Sequence, residues 1–319
     1  MPHLIIAGAI HESGINLIKS REDFTYHYLS ENDDSSYKNL IKEADALVIR
    51  TQSLGRNDIL SADRLKIVSR HGVGYDAVDV DALSEKHIRL TIVGDVNSQS
   101  VAEHSMTLLL SAFKRLIKND EAVRVGPWNY RNQLEPEELF KKTLLILGYG
   151  RIGRRLAKMA NGFDMNILAY DPFIPETSWP DGPAVKIHKL HDALNQADCI
   201  SVNMPPLDKP ILGKSEFDKM KPGVVIVNTA RGGIIQEADL IEALKSGKVG
   251  AAGLDVFDNE PPAIPNPFDD FKQVILTPHI AGLSKESAAA MAVSSVQNVI
   301  DFFDGNLDTS LIVNETTKT

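Results

Sequence analysis

The chain lacks several features that identify particular protein classes. Its 319 residues include one cysteine, Cys199, so an intrachain disulfide is excluded. No stretch of the sequence approaches the ~20 apolar residues that a membrane-spanning helix needs, and no long run of Lys or Arg is present. Together with a formal charge of −9, these absences argue against a nucleic-acid or acidic-membrane partner.

The remaining composition is that of a globular protein. Hydrophobic residues make up 43% of the chain and charged residues 24%, which allows a sizeable core. The length corresponds to one large or two ordinary domains. The first residues, MPHLIIAGAI, have no basic start and too short an apolar run for a signal peptide. We therefore expect a cytoplasmic protein, with Cys199 as a small core residue.

Short apolar runs alternate with polar, helix-like stretches in two series. The first series predicts strands at residues 4–7, 24–29, 46–49, 65–68 and 88–93, with amphipathic stretches such as 12–19 and 35–44 between them. The second predicts strands at residues 143–147, 166–170, 199–203, 224–230, 250–256 and 274–277. Strands that alternate with helices are typical of parallel sheets with right-handed crossovers.

Three further segments separate or follow these series. Residues 100–118 predict one long, largely apolar helix opened by a serine, and residues 285–304 predict a last helix before the polar tail NETTKT. Residues 124–143, RVGPWNYRNQLEPEELFKKT, are rich in turn formers and suit either a surface loop or a subunit-contact arm. We therefore predict an α/β chain with two domains.

A glycine-rich turn opens the second series at residues 143–155, TLLILGYGRIGRR. A five-residue apolar strand runs into Gly148, Gly150 and Gly153, and a helix follows. In this G-x-G-x-x-G context the first glycine permits a tight turn, the second lets the backbone approach a pyrophosphate, and the third lets helix and strand pack closely. The helix N-terminus offers free N–H groups and a partial positive charge to the phosphates.

An acid follows the turn at the expected distance. The strand NILAYD ends in Asp171, 18 residues after Gly153. An acid at this place accepts hydrogen bonds from the adenosine ribose hydroxyls and repels a 2′-phosphate. Pro172 and Phe173 follow it rather than an arginine, so the sequence favours NAD over NADP. A glycine turn used only for packing is the alternative, and the combination of strand, glycines, helix and acid argues against it.

Polar side chains stand at the ends of three successive predicted strands. Arg231 follows the first, Asp255 and then Glu260 come at the end of the second, and His279 follows the third. Ligands of open α/β sheets bind beyond the carboxyl ends of the strands. We therefore expect these residues at the edge that carries the glycine turn. Taken singly, each could instead be a surface ion pair, a solvated loop acid or a strand-end cap.

This set of residues suits hydride transfer to a 2-keto acid. A protonated His279 donates to the carbonyl oxygen as general acid and takes the proton back in the oxidation direction. Glu260 beside it would stabilise the imidazolium. Arg231 would hold the substrate carboxylate and polarise the carbonyl group.

Nearly the whole chain resembles the D-isomer-specific 2-hydroxyacid dehydrogenases, above all the branch of phosphoglycerate dehydrogenases, hydroxypyruvate reductases and glyoxylate reductases. The family's catalytic Arg, Glu and His fall on Arg231, Glu260 and His279. The resemblance runs in order through SRHGVGYDAVD (69–79), NSQSVAEHSM (97–106), LGYGRIGRRLA (147–157), NTARGGIIQE (228–237), GLDVFDNEPP (253–262) and TPHIAG (277–282).

The resemblance implies roles for further residues. Val73 and Gly74 would offer backbone N–H groups to the substrate carboxylate, and Asp255 would hydrogen-bond the nicotinamide carboxamide. Asn97, Ser98 and Val101 would lie near the cofactor, with Asn97 also counted as substrate-binding. Asn203 stands where many members have His. The other implied cofactor-binding residues are Tyr149, Arg151, Ile152, Asn203, Met204, Pro205, Thr229, Ala230, Ala281 and Gly282.

The resemblance also implies a layout. A flavodoxin-like substrate-binding domain would comprise residues 1–98 and 286–319, with a Rossmann NAD-binding domain, residues 99–285, inserted in it and the site in the cleft. Members of the family dimerise through the NAD-binding domain, so we expect a homodimer with PWNYR in the dimer arm. No metal is expected. Because the chain ends at residue 319, we do not expect serine regulation through a C-terminal extension.

Two arginines in the first series bear on the substrate. Arg50 ends ALVIR and Arg70 ends LKIVSR. Phosphoglycerate dehydrogenases bind the substrate phosphate with arginines at similar places, so these cations suit a small, strongly anionic or hydroxylated substrate. Candidates are 3-phosphoglycerate, hydroxypyruvate and glyoxylate. Alternatively, one or both arginines are structural or contact the substrate carboxylate.

Two other functions are compatible with this scaffold. A formate dehydrogenase pairs its His with Gln, and Glu260 argues against that activity. An NAD-sensing co-repressor could keep the same three polar residues. The acidic charge and the absence of a DNA-binding module from the sequence argue against it, and turnover of a 2-keto acid would separate it from a dehydrogenase.

Overall fold

The computed structural model describes residues 1–30 and 37–314, and the chain divides into two compact units. Unit 1 comprises Met1–Asn97 and the described chain from Leu283 onward, and unit 2 comprises Ser98–Gly282. The predicted amphipathic stretch 35–44 and the polar tail lie partly outside the described residues. The assignment of the units as substrate-binding and NAD-binding domains, with the predicted boundaries, stays a prediction.

Strands and helices alternate through both units. The strands are β1 His3–Ala7, β2 Thr25–Leu29, β3 Ala46–Ile49, β4 Ile67–Arg70, β5 Arg89–Thr91, β6 Thr143–Leu147, β7 Asn166–Tyr170, β8 Val185–Ile187, β9 Cys199–Val202, β10 Val224–Asn228, β11 Val249–Leu254 and β12 Val274–Leu276. The helices are α1 Glu12–Lys19, α2 Arg56–Ser61, α3 Val80–Glu85, α4 Ser98–Phe113, α5 Leu116–Arg124, α6 Arg151–Asn161, α7 His191–Leu194, α8 Lys214–Lys219, α9 Glu237–Lys245 and α10 Lys285–Asp304.

Unit 1 is built on a parallel sheet with the strand order β2-β1-β3-β4-β5. This 2-1-3-4-5 order is the flavodoxin-like arrangement, as predicted. The central strand β1 is buried on both faces, because Ile5 and Ala7 join one apolar cluster while Leu4 and Ile6 join another. Burial on both faces explains why such strands are continuous apolar runs in the sequence.

The last helix, α10, belongs to unit 1 and has the predicted bounds. At its N-terminus the hydroxyl oxygen of Ser284 accepts a hydrogen bond from the backbone N–H of Ser287 at 3.1 Å. Gly305, with a φ of 77°, ends the helix. The helix packs on α1 at Gly14, where a Cβ would lie 2.7 Å from the carbonyl oxygen of Ala292.

Unit 2 is a doubly wound parallel sheet with the order β12-β11-β10-β9-β6-β7-β8, which confirms the predicted Rossmann arrangement. The strand order reverses between β6 and β9, and this switch point is where such sheets bind ligands. Alternate residues of β6 enter opposite apolar clusters, Leu145 and Leu147 on one face, Leu144 and Ile146 on the other. Edge strand β8 was not predicted, because it has three residues, none of them fully buried.

The prediction of a single helix over residues 100–118 is wrong. Helix α4 ends at Phe113, and α5 begins after Arg115, which adopts a left-handed backbone conformation with a φ of 49°. The guanidinium Nη1 of Arg115 donates to the carbonyl oxygen of Gly250 at 3.1 Å, so the break is anchored to β11. The apolar pattern continues across the break and therefore did not reveal it.

The segment after α5 forms a short 3₁₀ helix at Trp128–Gln133. Tyr130 is buried and its hydroxyl donates to Glu135 at 2.8 Å, whereas Trp128 is 69% exposed. A role of this segment in subunit contact stays a prediction.

Elsewhere in unit 2, Cys199 is fully buried, and burial raises the pKa of its thiol. Among residues 1–30 and 37–314, no helix has both the length and the apolar character needed to cross a membrane.

Candidate active site

Three neighbouring parallel strands of unit 2, β10, β11 and β12, carry the predicted polar residues beyond their carboxyl ends. Each strand ends one or two residues earlier than predicted, so that Arg231, Glu260 and His279 lie on the loops that follow. The glycine turn after β6 lies at the same edge, because all strands of the sheet are parallel.

His279 and Glu260 form a direct pair. Nδ1 of His279 lies 2.6 Å from Oε2 of Glu260. The other carboxylate oxygen, Oε1, accepts a hydrogen bond from the backbone N–H of Phe257 at 3.1 Å. The His279 side chain is 46% exposed. Because Glu260 occupies Nδ1, Nε2 is the ring nitrogen available to a substrate.

The backbone of His279 is left-handed, with a φ of 51°. This conformation is uncommon for a residue with a Cβ and persists only where the surroundings hold it. The N–H of His279 donates to the carbonyl oxygens of Asp255 at 2.9 Å and Thr277 at 3.0 Å. The imidazole therefore leaves the loop in a direction that the neighbouring backbone enforces.

The carboxylate of Asp255 holds the same loop. Asp255 is fully buried. Its oxygens accept hydrogen bonds from the N–H groups of Ile280 and Ala281, both at 2.9 Å, and from the hydroxyl of Thr277 at 2.5 Å. The carboxylate thus stabilises the loop that carries His279 by hydrogen bonding. Its contact with a nicotinamide carboxamide stays a prediction.

The turn that carries Arg231 is shaped by Asn228, the last residue of β10. The side chain of Asn228 donates to the carbonyl oxygen of Arg231 at 2.8 Å and accepts from the N–H of Ala230 at 3.0 Å. At the next position, Gly232, a Cβ would lie 2.0 Å from the carbonyl oxygen of Phe257. Glycine therefore lets the Arg231 turn pack directly against the segment that leads to Glu260.

The glycine turn has the geometry that its motif predicts. Gly148 has a φ of 93°, and a Cβ there would lie 2.6 Å from the carbonyl oxygen of Asn203. At Gly153 a Cβ would lie 2.2 Å from the carbonyl oxygen of Gly148, so helix α6 packs tightly on the turn. Gly150, the N-cap of α6, has open space at its Cβ position, which allows a ligand to approach.

Asp171 directly follows β7 and braces this turn. Its Oδ2 accepts from the N–H of Tyr149 at 2.9 Å, and its Oδ1 from the N–H of Phe173 at 3.0 Å. Each carboxylate oxygen keeps a further lone pair for a ribose hydroxyl. The open turn, the free helix N-terminus and the acid fit a dinucleotide.

The comparisons with known proteins agree with this geometry. Residues 106–281 match the family model described as the NAD-binding domain of the D-isomer specific 2-hydroxyacid dehydrogenases. The chain belongs to this family. The membership predicted from the six motifs is therefore confirmed.

Two curated relatives illustrate the range of the family. This 2-hydroxyacid dehydrogenase family member is 37% identical over 276 residues to the D-3-phosphoglycerate dehydrogenase of Archaeoglobus fulgidus, covering 85% of this chain and 52% of the relative. It is 38% identical over 265 residues to the hydroxypyruvate reductase of Thermotoga maritima, covering 82% and 85%. The chain thus spans about half the length of the first relative and most of the second.

A solved structure supports the same fold. The D-lactate dehydrogenase of Aquifex aeolicus, complexed with NAD and lactic acid, superposes with a TM-score of 0.87 at 26% identity, covering 99% of this chain and 100% of that one. The likeness extends over both units of the chain.

The other implied cofactor residues of unit 2 lie in these same segments. Arg151 and Ile152 form the first turn of α6, and Met204 packs with Asn203 against Gly148. Thr229 and Ala230 lie in the Arg231 turn, Ala281 and Gly282 in the His279 loop, Ser98 and Val101 at the start of α4, and Pro205 after β9. Among the described residues, Oδ1 of Asn203 is buried without a hydrogen-bond partner.

The predicted substrate residues lie in unit 1, at the carboxyl edge of its sheet. Arg50 directly follows β3, and Arg70 ends the neighbouring strand β4. Nη1 of Arg50 donates to the carbonyl oxygen of Ala9 at 2.9 Å, and Nη1 of Arg70 to that of His71 at 2.7 Å. Val73 and Gly74 lie in the loop after β4, and Asn97 ends the first segment of the unit. The roles of these five residues stay predictions.

His71 is a residue of this edge that the sequence reasoning missed. It is 5% exposed, and burial lowers the pKa of its imidazole to about 4, helped by the charges of Arg50 and Arg70. A positive charge near an imidazole disfavours its protonation, which is the same direction as the effect of burial. The position of His71 in RHG directly after a strand was the available signal.

Three residues around His279 and Arg231 were also missed. Asn228 ends an apolar strand as its one polar residue, which could have marked it as the residue that shapes the turn. Thr277 directly follows β12 inside the motif TPHIAG, and no role was predicted for its hydroxyl. His104, inside the motif NSQSVAEHSM, received no role, although its Nε2 lies 3.0 Å from Oγ1 of Thr277.

The buried His71 predicts a pH dependence of stability. Its pKa in the folded chain, about 4, lies below the ordinary imidazole value of about 6.5. Between pH 7 and pH 5 the unfolded chain therefore takes up a proton at this residue that the folded chain does not. We expect this residue to lower the free energy of unfolding by about 2 kcal/mol over that interval. In urea unfolding at the two pH values, the free energy of unfolding of His71→Gln should therefore fall by about 2 kcal/mol less than that of the unmodified chain.

The exposed His27 on β2 provides the control. His27→Gln should lose as much stability between pH 7 and pH 5 as the unmodified chain. An equal loss in His71→Gln as well would show that the imidazole of residue 71 is not held neutral.

Proposed function

We propose that the chain is an NAD-dependent dehydrogenase that interconverts a small D-2-hydroxy acid and its 2-keto acid. The observation that carries this proposal is the 2.6 Å contact between Nδ1 of His279 and Oε2 of Glu260. An imidazole that is oriented by a carboxylate is suited to exchange a proton with a carbonyl oxygen. It stands at the same sheet edge as a turn with the geometry of a dinucleotide site.

The proton chemistry assigns each ring nitrogen a role. NADH, when bound, supplies the hydride. The imidazolium of His279 donates the Nε2 proton to the substrate carbonyl oxygen. The other proton remains on Nδ1 and stays hydrogen-bonded to Glu260. The product is the 2-hydroxy acid, and the half-exposed ring takes a new proton from solvent. In the oxidation direction Nε2 accepts the hydroxyl proton.

Glu260 and Arg231 support this step. The carboxylate of Glu260 stabilises the positive charge of the imidazolium, and its bond from Phe257 keeps it in place. Arg231 would hold the substrate carboxylate through its guanidinium N–H donors and draw negative charge toward the carbonyl oxygen. One of its nitrogens, Nη1, donates to the carbonyl oxygen of Ala230 at 2.7 Å, which orients the side chain. Its turn is pre-formed by Asn228 and Gly232.

The predicted coenzyme is NAD. The backbone N–H groups at the start of α6 would hold the pyrophosphate. The carboxylate of Asp171 would accept hydrogen bonds from the adenosine ribose hydroxyls. The negative charge of Asp171 would repel a 2′-phosphate. The unpartnered Oδ1 of Asn203 is a further acceptor near the turn.

We further propose a cytoplasmic homodimer that assembles through unit 2. Exposed apolar side chains on α5 and the following 3₁₀ helix, those of Leu116, Ile117 and Trp128, support the proposed interface.

Replacement of His279 by Gln tests the mechanism. Gln keeps a donor near Glu260 but cannot carry the transferred proton, so we expect kcat to fall by at least ~100-fold. The dissociation constant for NADH should stay nearly unchanged, because the glycine turn is untouched. Both quantities follow from NADH oxidation over a panel of 2-keto acids and from NADH fluorescence.

His188→Gln is the matched control, since His188 is an exposed histidine of the same unit. It should keep the unmodified kcat. A His279→Gln protein with near-normal turnover would remove His279 from the proposed role.

Replacement of Asp171 by Asn tests the coenzyme preference. The amide oxygen can still accept from the N–H of Tyr149, which keeps the bond to the glycine turn. The bond from the N–H of Phe173 is lost, together with the charge that repels a 2′-phosphate. We expect the ratio of kcat/KM for NADPH to that for NADH to rise about tenfold or more, which corresponds to ~1.4 kcal/mol. Asp192→Asn, at an exposed acid on α7, should leave the ratio unchanged. An unchanged ratio in Asp171→Asn would assign the preference to another residue.

Arg50 and Arg70 support the proposal of an anionic or hydroxylated substrate, because both are cations at the carboxyl ends of the neighbouring strands β3 and β4 of unit 1. For Arg50→Gln we expect kcat/KM to fall about tenfold or more for the phosphate ester of hydroxypyruvate relative to glyoxylate, since one charge-assisted hydrogen bond is lost. Arg89→Gln is the control, because Arg89 begins β5 at the opposite edge of the same sheet. An unchanged ranking of substrates in Arg50→Gln would contradict this assignment.

A further inference from the structure

His104 contacts the loop of His279 from helix α4. Its Nε2 lies 3.0 Å from Oγ1 of Thr277 and 3.6 Å from Oδ1 of Asp255. The His104 side chain is 19% exposed and the Asp255 side chain is fully buried. The imidazole therefore reaches two residues that hold the loop, without belonging to the His279–Glu260 pair.

The direction of these hydrogen bonds follows from chemistry. The ionised carboxylate of Asp255 can only accept, so the hydroxyl of Thr277, 2.5 Å away, donates its proton to Asp255. That hydroxyl has no second proton. Nε2 of His104 must therefore carry the hydrogen and donate it to Oγ1 of Thr277. The result is a chain of donors that runs from His104 through Thr277 to Asp255.

Asp255, the last acceptor of this hydrogen-bond series, holds the backbone of the His279 loop. It accepts hydrogen bonds from the N–H groups of three successive residues. The N–H of His279 donates to the backbone carbonyl oxygen of Asp255, and those of Ile280 and Ala281 donate to its carboxylate. These bonds hold His279 at a positive φ, which is sparsely populated for a residue with a Cβ. Hydrogen bonds in such a partly buried network strengthen one another, so the donor at His104 helps to hold Asp255 in position.

We propose that His104 is a positioning residue for the reaction and acts through Thr277 and Asp255 to hold the His279 loop. The inference rests on the proposed function of His279 as proton donor. Without the His104 donor, the Thr277 hydroxyl is free to turn away from Asp255. The loop then loosens, and the imidazole spends less time in contact with Glu260 and the substrate.

Two pairs of variants test this chain. Thr277→Val removes the hydroxyl at nearly constant shape, and Thr277→Ser restores it. His104→Phe keeps a ring but removes the donor, and His104→Gln restores an N–H donor. We expect kcat for 2-keto acid reduction to fall about tenfold in Thr277→Val and His104→Phe, since small misplacements of a reacting group are costly. The dissociation constant for NADH should change less than twofold, and the Ser and Gln variants should recover most of kcat.

A double variant separates positioning from general damage. If His104 acts through Thr277, His104→Phe should cost little further kcat once Thr277→Val is present, because both changes break one chain. Multiplied effects of the two changes would overturn the proposal, and so would an unchanged kcat in Thr277→Val. Should His104→Phe fail to fold, His104→Leu takes its place in the single and the double variant, beside Thr277→Val and Thr277→Ser.

Backbone hydrogen exchange gives a measurement that does not depend on turnover. In both donor-removing variants, we expect faster exchange confined to the amides of His279, Ile280 and Ala281, with the glycine turn unchanged. If the unmodified protein reduces no 2-keto acid while exchange accelerates as expected, the proposed function fails and the positioning network stands. If the unmodified protein is active but exchange and kcat are unchanged in both variants, the network fails and the function stands.

Discussion

The buried carboxylate of Asp255 is the constraint on which the rest of the site depends. A charge removed from water must be met by donors, because an unpartnered buried charge is strongly destabilising. In this chain the donors are two backbone N–H groups and a hydroxyl of the residues that follow β12. The hydrogen bonding of the Asp255 carboxylate is therefore complete only when the His279 loop is formed. A left-handed histidine, costly by itself, becomes the conformation that completes the hydrogen bonding of its neighbours.

Parallel strands then place this loop beside the other groups of the site. In a doubly wound sheet every strand ends at the same edge, so residues separated by more than a hundred positions share one surface. Glycines control how closely the loops on that surface approach. Gly232 lets the Arg231 turn touch the segment before Glu260, and Gly148 lets the dinucleotide turn touch the residues after β9. The candidate site therefore depends on the absence of side chains at these glycines as well as on its polar side chains.

The comparisons bear on where specificity lies. The relatives named above are a phosphoglycerate dehydrogenase, a hydroxypyruvate reductase and a D-lactate dehydrogenase. Phosphoglycerate, hydroxypyruvate and lactate each carry a hydroxyl or carbonyl group beside a carboxylate, and they differ in the group beyond it. Residues that act on the shared part need not differ among such enzymes. The proposed selection of the distal group by Arg50 and Arg70 would assign specificity to residues of unit 1, whereas His279 and Glu260 belong to unit 2.

The sequence by itself determined the features that short-range patterns encode. Apolar runs located the strands of both sheets except β8, and the last helix was predicted with its observed bounds. Three glycines with Asp171 identified the dinucleotide turn. Each of these features depends on residues close along the chain. Only the tertiary structure showed the break at Arg115, which depends on a contact with distant β11, and the neutral His71, which depends on burial. It also brought His104 to Thr277, two residues 173 positions apart. Such contacts arise from strand order and helix packing, and a single sequence carries no local signal for them.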